Sequence, residues 1–312
     1  MTLDPHFKAM LDEQAAAAPA DAPPLSVIPP AMVRAGYQMQ RKAQNLNTAP
    51  TDVETRDLQV GGAAGPIPAR LYTPAGAAAT GPGMVYFHGG GFVIGDLETH
   101  DAHCRRLAAF SGARVLAVDY RLAPENPFPA SHDDALAATK WAFDHGAEIG
   151  FDPARMGVGG DSAGGNLAAS VSIDLRGDPK RKLKLQMLFY PAVWPHEWTA
   201  SRQERDGPVL SKAAMEWFET SLAAAGHPDE IRMSPARQTD LSGLAPAYIA
   251  TAGFDPLEHE GRDYAATLNA AGTPAQHVNY PSLVHDFYIM GDVSPAVVEA
   301  AKAAGAAIKA AL

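Results

Sequence analysis

Met156-Gly-Val-Gly159, then Gly160-Asp-Ser-Ala-Gly164, then Asn166-Leu-Ala-Ala-Ser170 is the stretch on which the fold turns. A short apolar run, a serine between glycines and a helical stretch, in that order, read as strand, sharp turn and helix. At such a turn the Ser162 hydroxyl projects above the sheet edge. The flanking glycines leave room for a strained backbone, and the helix N-terminus behind it favours negative charge developing in front. The surroundings carry more weight than the G-x-S-x-G pattern, which arises often by chance in a chain with 28 glycines. A dinucleotide-binding loop is excluded, because Gly157 and Gly159 lack the third glycine and Ser162 stands in its place. No Gly-Lys-Ser/Thr phosphate loop occurs anywhere.

Working outward, short apolar runs alternate with helical patterns. Candidate strands are Ala69–Tyr72, Met84–Phe87, Val115–Val118, Met156–Gly159, Gln186–Tyr190, Tyr248–Ala252 and Gln276–Tyr280. The amphipathic stretches Asp101–Phe110, Ser131–His145, Asn166–Leu175, Glu260–Ala271 and Pro295–Leu312 fall between or after them. Strands apolar along their whole length, separated by helices, indicate an α/β protein with a mostly parallel sheet covered on both faces. Two segments break the rhythm. Residues 1–50 hold Pro19, Pro23, Pro24, Pro29 and Pro30 between helical stretches near Asp4–Ala18 and Ala31–Asn45, and read as a helical arm. About 55 residues between Tyr190 and Ala247 contain no clear strand, but they contain Trp194, Trp198, Trp217, Phe218 and a helical pattern near Ser211–Ala224. A long aromatic insertion of this kind is expected to cover a site. The expected division is therefore an arm over 1–50, a catalytic unit over 51–191 and 241–312, and an insertion over 192–240.

A second glycine motif, His88-Gly-Gly-Gly91, directly follows the strand Met84–Phe87. Glycines let backbone N–H groups turn unobstructed toward a developing oxyanion, so Gly89, Gly90 and Ala163 are the expected donors. His88 is expected to brace the loop rather than to carry protons. The order of the remaining groups completes a pattern. Asp255 follows the strand Tyr248–Ala252, which places a carboxylate at a strand C-terminus. His285 follows the next strand. Serine, acid and histidine in that chain order are the arrangement in which Asp255 orients His285 and His285 takes the proton of Ser162. Phe92, Trp194, Trp198 and Trp217 are candidates for lining a substrate pocket, and Arg121 and Glu125 for bracing the loop beneath it.

Composition narrows the remaining classes. The chain has 312 residues, 46% hydrophobic and 19% charged, ordinary for a globular α/β unit with an added subdomain. A formal charge of −10 with no long Lys/Arg cluster argues against a nucleic-acid partner. Cys104 is the only cysteine, so no intrachain disulfide is possible. No stretch approaches the roughly 18 uncharged apolar residues that span a bilayer, and the N-terminus carries no secretory pattern. A soluble cytoplasmic protein without a membrane partner is expected. His100-Asp-Ala-His103-Cys104 offers N, O and S ligands, but no second ligand pair accompanies it. A helix surface beside the glycine loop is the better reading, and no metal is expected.

Taken together, His88-Gly-Gly-Gly-Phe-Val-Ile-Gly-Asp96, Asp119-Tyr-Arg-Leu-Ala-Pro-Glu125, Gly160-Asp-Ser-Ala-Gly-Gly-Asn166, Phe254-Asp-Pro-Leu257 and His285-x-Phe287 resemble the bacterial hormone-sensitive-lipase family of esterases. The resemblance covers roughly Val53 to the C-terminus. It implies the α/β-hydrolase fold with an eight-stranded sheet, and a helical cap built from the arm plus the insertion. It also implies hydrolysis of short-chain acyl esters without metal or organic cofactor, with a homodimer as an expected assembly. Lactonase, amidase or arylesterase activity shares the same chemistry, and some relatives keep the pocket as a small-ligand receptor after losing the base. The presence of Ser162, Asp255 and His285 together argues for turnover. Two departures from the family pattern stand out: Asp286 where a glycine usually follows the histidine, and His259 where an acidic residue is common. The Asp286 carboxylate is expected to favour protonated His285 and to raise the acidic limb of the pH–rate curve.

Overall fold

The structure is a computed structural model describing residues 1–19, 21–194, 199–223 and 231–312. Eight strands form one sheet: β1 (Glu54–Gly62), β2 (Gly65–Thr73), β3 (Gly81–Phe87), β4 (Arg114–Val118), β5 (Phe151–Asp161), β6 (Leu185–Phe189), β7 (Ala247–Phe254) and β8 (Ala275–Val284). Their order is β1-β2-β4-β3-β5-β6-β7-β8. β1 and β2 pair antiparallel, as do β2 and β4, and every pairing beyond β4 is parallel. Every residue of β4 and β6 is buried, and so is β5 from Met156 onward. This is why these strands read as unbroken apolar runs.

All seven strands read from the apolar runs are present, and β1 is added to them. It is an edge strand in which only Val60 is buried, so neither an apolar run nor a clean alternation marks it. The expected helices form as Pro5–Ala17, Pro30–Ala43, Leu97–Ser111, Ala130–Asp144, Ala163–Asp174, Lys212–Ala223, Glu258–Ala270 and Pro295–Ala311. Leu97–Ser111 begins four residues earlier than expected because Asp96 and Thr99 form a capping box there. Helices Leu97–Ser111 and Pro295–Ala311 pack together, as do Ala130–Asp144 and Ala163–Asp174, while Glu258–Ala270 lies on β7 and β8.

Parallel strands all point one way, so their C-terminal ends share one edge of the sheet. His88 follows β3, Ser162 follows β5, Asp255 follows β7 and His285 follows β8. Four residues spread over nearly 200 positions are thereby brought to one rim.

The arm is tied to this rim by ion pairs and hydrogen bonds. Arg34 donates to both carboxylate oxygens of Glu125 (2.9 and 2.7 Å) and to the carbonyls of Val93 and Ala123. Glu125 thus anchors the arm, whereas Arg121 pairs with buried Asp134 at 2.7 Å beneath the loop. From the insertion, Arg202 pairs with buried Glu260, and Arg205 donates to the carbonyls of Gly253 and Asp255 (3.1 and 3.3 Å). Among the described residues no helix is long and apolar enough to cross a membrane.

Two glycines separate the demands of the fold from those of a lone helix. A Cβ on Gly164 would run into the carbonyl oxygen of Phe87, whereas one on Gly36 meets nothing within 4 Å. Gly164→Ala is expected to destabilise by roughly 3 kcal/mol, the upper end of the overpacking range. Gly36→Ala, at an exposed position of the helix Pro30–Ala43, is expected to stabilise by about 0.5–1 kcal/mol. Denaturant midpoints of the two variants against the parent check both signs.

Candidate active site

Ser162 stands between β5 and the helix Ala163–Asp174 at φ 53°, ψ −115°. That is positive-φ backbone rarely adopted by residues with a side chain. The strain is held from several sides. The Ser162 N–H donates to the carbonyl of Phe189, the last residue of β6, at 2.9 Å, and the Ser162 carbonyl accepts from the N–H groups of Asn166 and Ala192. Gly160 and Gly164 face each other so closely that a Cβ on Gly160 would strike the Gly164 backbone.

Nε2 of His285 lies 3.0 Å from Oγ of Ser162, and Nδ1 lies 2.7 Å from Oδ2 of Asp255. The other Asp255 oxygen accepts from the N–H of Leu257 at 2.8 Å. Asp255 is fully buried, His285 is 3% exposed and Ser162 7% exposed. A carboxylate accepting from Nδ1–H leaves Nε2 as the acceptor facing the serine, the tautomer a base requires. Burial works against charge on the ring, but Asp255 and Asp286 outweigh it and hold the imidazole above its ordinary value. Asp286 itself is in left-handed backbone (φ 65°), with Oδ1 3.4 Å from Nε2 of His285. His259 lies elsewhere, 3.2 Å from Glu258 and 3.4 Å from Arg205.

The glycine loop corrects one expectation. The Gly89 N–H donates to Oδ1 of Asp161 at 3.0 Å, and Gly89 lies outside the cavity that Ser162 and His285 line. With its donor already engaged by a buried carboxylate, Gly89 has no N–H to offer an oxyanion. Gly90, Gly91 and Ala163 do line that cavity, and among the described residues their N–H groups meet no backbone acceptor. Gly90 (φ 110°) and Gly91 (φ 60°) adopt the backbone that turns their amides. The sequence pattern passes over Gly91 because it does not say which members of a glycine run face the site.

Asp161 organises this loop. Besides Gly89 it accepts from the Tyr86 hydroxyl (2.7 Å), and its Oδ2 lies 3.1 Å from Nε2 of His100. The His100 of the supposed ligand run is therefore committed to this carboxylate. His103 packs between Tyr86 and Phe189, and burial lowers its pKa to about 3. His88 stacks on Tyr120 at 4.3 Å and is kept neutral by burial, its pKa lowered to about 4, which suits bracing rather than proton transfer.

The cavity measures about 260 Å³. Phe92 and Trp217 line it. Trp194 does not: its backbone N–H donates to Glu260 at 3.0 Å and the residue packs against the core. Trp198 falls outside the described residues. Apart from Phe218, already noted among the insertion's aromatics, the remaining wall comes from positions that sequence reasoning passes over. Leu25, Val33, Tyr37 and Arg41 come from the arm, Leu210, Met215, Phe218 and Leu222 from the insertion, and Leu257 from beside Asp255. Helical periodicity marks such positions only as buried faces, without saying what they are buried against.

A family model described as alpha/beta hydrolase fold matches residues 84–289. The chain belongs to the α/β-hydrolase family. Within it the chain stands with the hormone-sensitive-lipase type of carboxylesterases. It is 41% identical over 269 residues to esterase LipI of Mycobacterium tuberculosis, covering 84% of each chain. To the ethyl acetate hydrolase of Pseudomonas putida it is 38% identical over 235 residues, covering 73% of each. An ester-hydrolase from the metagenome of Lake Arreo, solved with a derivative of bipyridine phosphonate, superposes with a TM-score of 0.94 at 39% identity over 99% of each chain.

The Asp161 network yields a stability expectation. Burial alone would raise this carboxyl, but His100 and the Tyr86 hydroxyl hold it well below the usual carboxylate range. A depressed carboxyl contributes stability above its unfolded pKa and loses it as the pH falls through the folded value. Asp161→Asn is expected to cost about 3 kcal/mol and to lower kcat by loosening the loop. The stability difference should shrink in strong acid, as urea titrations at pH 7 and pH 3 would record.

Proposed function

We propose that this enzyme hydrolyses short-chain carboxylic esters, with Ser162 as nucleophile, His285 as base, Asp255 as the carboxylate orienting that base, and the N–H groups of Gly90, Gly91 and Ala163 as the oxyanion cradle. The observation that carries the reading is the unbroken chain Ser162 Oγ–His285–Asp255 at 3.0 and 2.7 Å on the wall of a cavity. Its relatives named as esterases support the same reaction class.

Ser162 Oγ attacks the ester carbonyl carbon while its proton passes to Nε2 of His285. Negative charge collects on the carbonyl oxygen among the amides. Collapse of this intermediate expels the alcohol, which takes the proton from His285 and leaves an acyl-serine. Water then repeats the cycle and frees the acid. Losing one amide donor of such a cradle typically costs about 3–4 kcal/mol of barrier. Residues 1–50 and 192–240 act in this reading as a cap over the catalytic unit. The support for that is the cavity wall, which draws on both segments. A cavity of about 260 Å³ accommodates a small ester better than a long acyl chain.

Rates on p-nitrophenyl esters of rising acyl length are expected to peak at short chains and fall toward long ones. Ser162→Ala should lose about 10⁴-fold or more in kcat, and a fluorophosphonate should modify Ser162 in the parent. Activity surviving in Ser162→Ala overturns the nucleophile assignment, and rates rising with chain length overturn the substrate class. Because His285 is held above its ordinary value, the acidic limb of kcat/KM is expected above about pH 6.5. A limb at or below that value would contradict it.

A further inference from the structure

The carboxylate of Asp286 has two oxygens with different neighbours. Oδ1 lies 3.4 Å from Nε2 of His285, the nitrogen that faces Ser162. Oδ2 accepts from the Arg41 guanidinium at 2.9 Å and from the Tyr37 hydroxyl at 3.2 Å, both on the arm helix Pro30–Ala43. Arg41 is 4% exposed, stacks over the Tyr37 ring at 4.6 Å and donates a second bond to Gln44 at 2.7 Å. A buried, doubly held guanidinium thus reaches from the arm onto the residue next to the base.

We propose that Arg41 is a positioning residue for His285, acting through Asp286: by engaging Oδ2 it keeps this carboxylate from becoming a rival partner for the proton on Nε2. The proposal rests on the reading of His285 as the base. In the ground state Nε2 carries no proton and Asp286 offers it nothing. Once Nε2 holds the serine proton, that N–H faces two acceptors, the departing alcohol oxygen and Oδ1. Productive turnover needs the first. An unpaired carboxylate at 3.4 Å favours the second and stabilises the imidazolium before substrate arrives. Sharing the carboxylate with Arg41 and Tyr37 weakens its pull without removing it.

The other charged and titratable groups around His285 do not duplicate this arrangement. Asp255 holds Nδ1 on the opposite side of the ring, Asp161 is committed to His100, Tyr86 and Gly89, and the Tyr190 ring packs at 4.8 Å. Arg202 and Glu219, which also line the cavity, pair with each other at 3.2 Å. Arg41 is the cation bonded to the carboxylate beside Nε2.

The test is a double-mutant cycle read as pH profiles of kcat and kcat/KM on p-nitrophenyl acetate. Asp286 sits at φ 65°, a conformation glycine adopts freely, so Asp286→Gly removes the carboxylate without backbone strain. Asp286→Gly is expected to lower the acidic limb by about half a unit to one unit. Arg41→Met should raise the limb by a similar amount and lower kcat about tenfold. Combining the two should restore most of that kcat, because no carboxylate is left to compete. Arg41→Gln keeps a partner for Gln44 and carries the same test should the methionine variant not fold. A merely structural Arg41 predicts instead a loss that persists in the double variant and a limb that does not move; either result overturns the proposal. Saturating fluorophosphonate modification of Ser162 is measured alongside. A parent that is neither modified nor active fails the proposed function itself, whereas a modified, active parent with an unrescued double variant fails only the role of Arg41.

Discussion

The whole arrangement depends on how closely the turn after β5 approaches the end of β3. Gly164 sits against the Phe87 carbonyl with no room for a Cβ, and Gly160 against Gly164. That approach lets Ser162 occupy positive-φ backbone and stand clear of the sheet. It also brings Ala163 to the wall of the cavity that Gly90 and Gly91, on the loop that β3 feeds, line as well. A side chain at either glycine would push the Ser162 turn and the glycine loop apart. Strain at one serine is tolerated because buried strands on both sides leave the turn no alternative path.

Asp161 extends the same constraint. As the last residue of β5 it is fixed by the sheet, and its carboxylate takes the Gly89 N–H, so the glycine loop is registered against Ser162 by a buried carboxylate. One glycine amide is committed to holding the loop, and the two glycines that follow line the cavity. His100 and Tyr86 complete that carboxylate's partners and remain away from the reacting atoms. The histidine-rich run that invites a metal reading is therefore part of the loop's support.

On the far side of the site, chain regions remote from the sheet decide the electrostatics. The arm reaches Asp286, next to His285, through Arg41 and the glycine loop through Arg34, and the insertion reaches the strand that Asp255 follows and the helix after it through Arg205 and Arg202. Each contact joins a cation from one of these two segments to a group near the sheet rim. Both segments thus contribute to the cavity wall and hold charge next to it.

The amino-acid sequence by itself determined the α/β class, seven of eight strands and the order of serine, acid and histidine, because buried parallel strands and glycine turns leave local signatures. It also marked the strained serine, whose glycine flanks are visible in the chain. The edge strand β1 left no such signature, since it is largely exposed along its length. Tertiary structure alone decided that Gly91 rather than Gly89 borders the cavity, that Trp194 is not part of its wall, and that Arg41 meets Asp286 from 245 residues away. Those outcomes depend on which donor finds which acceptor after distant segments pack, and composition and periodicity along a chain carry no record of that pairing.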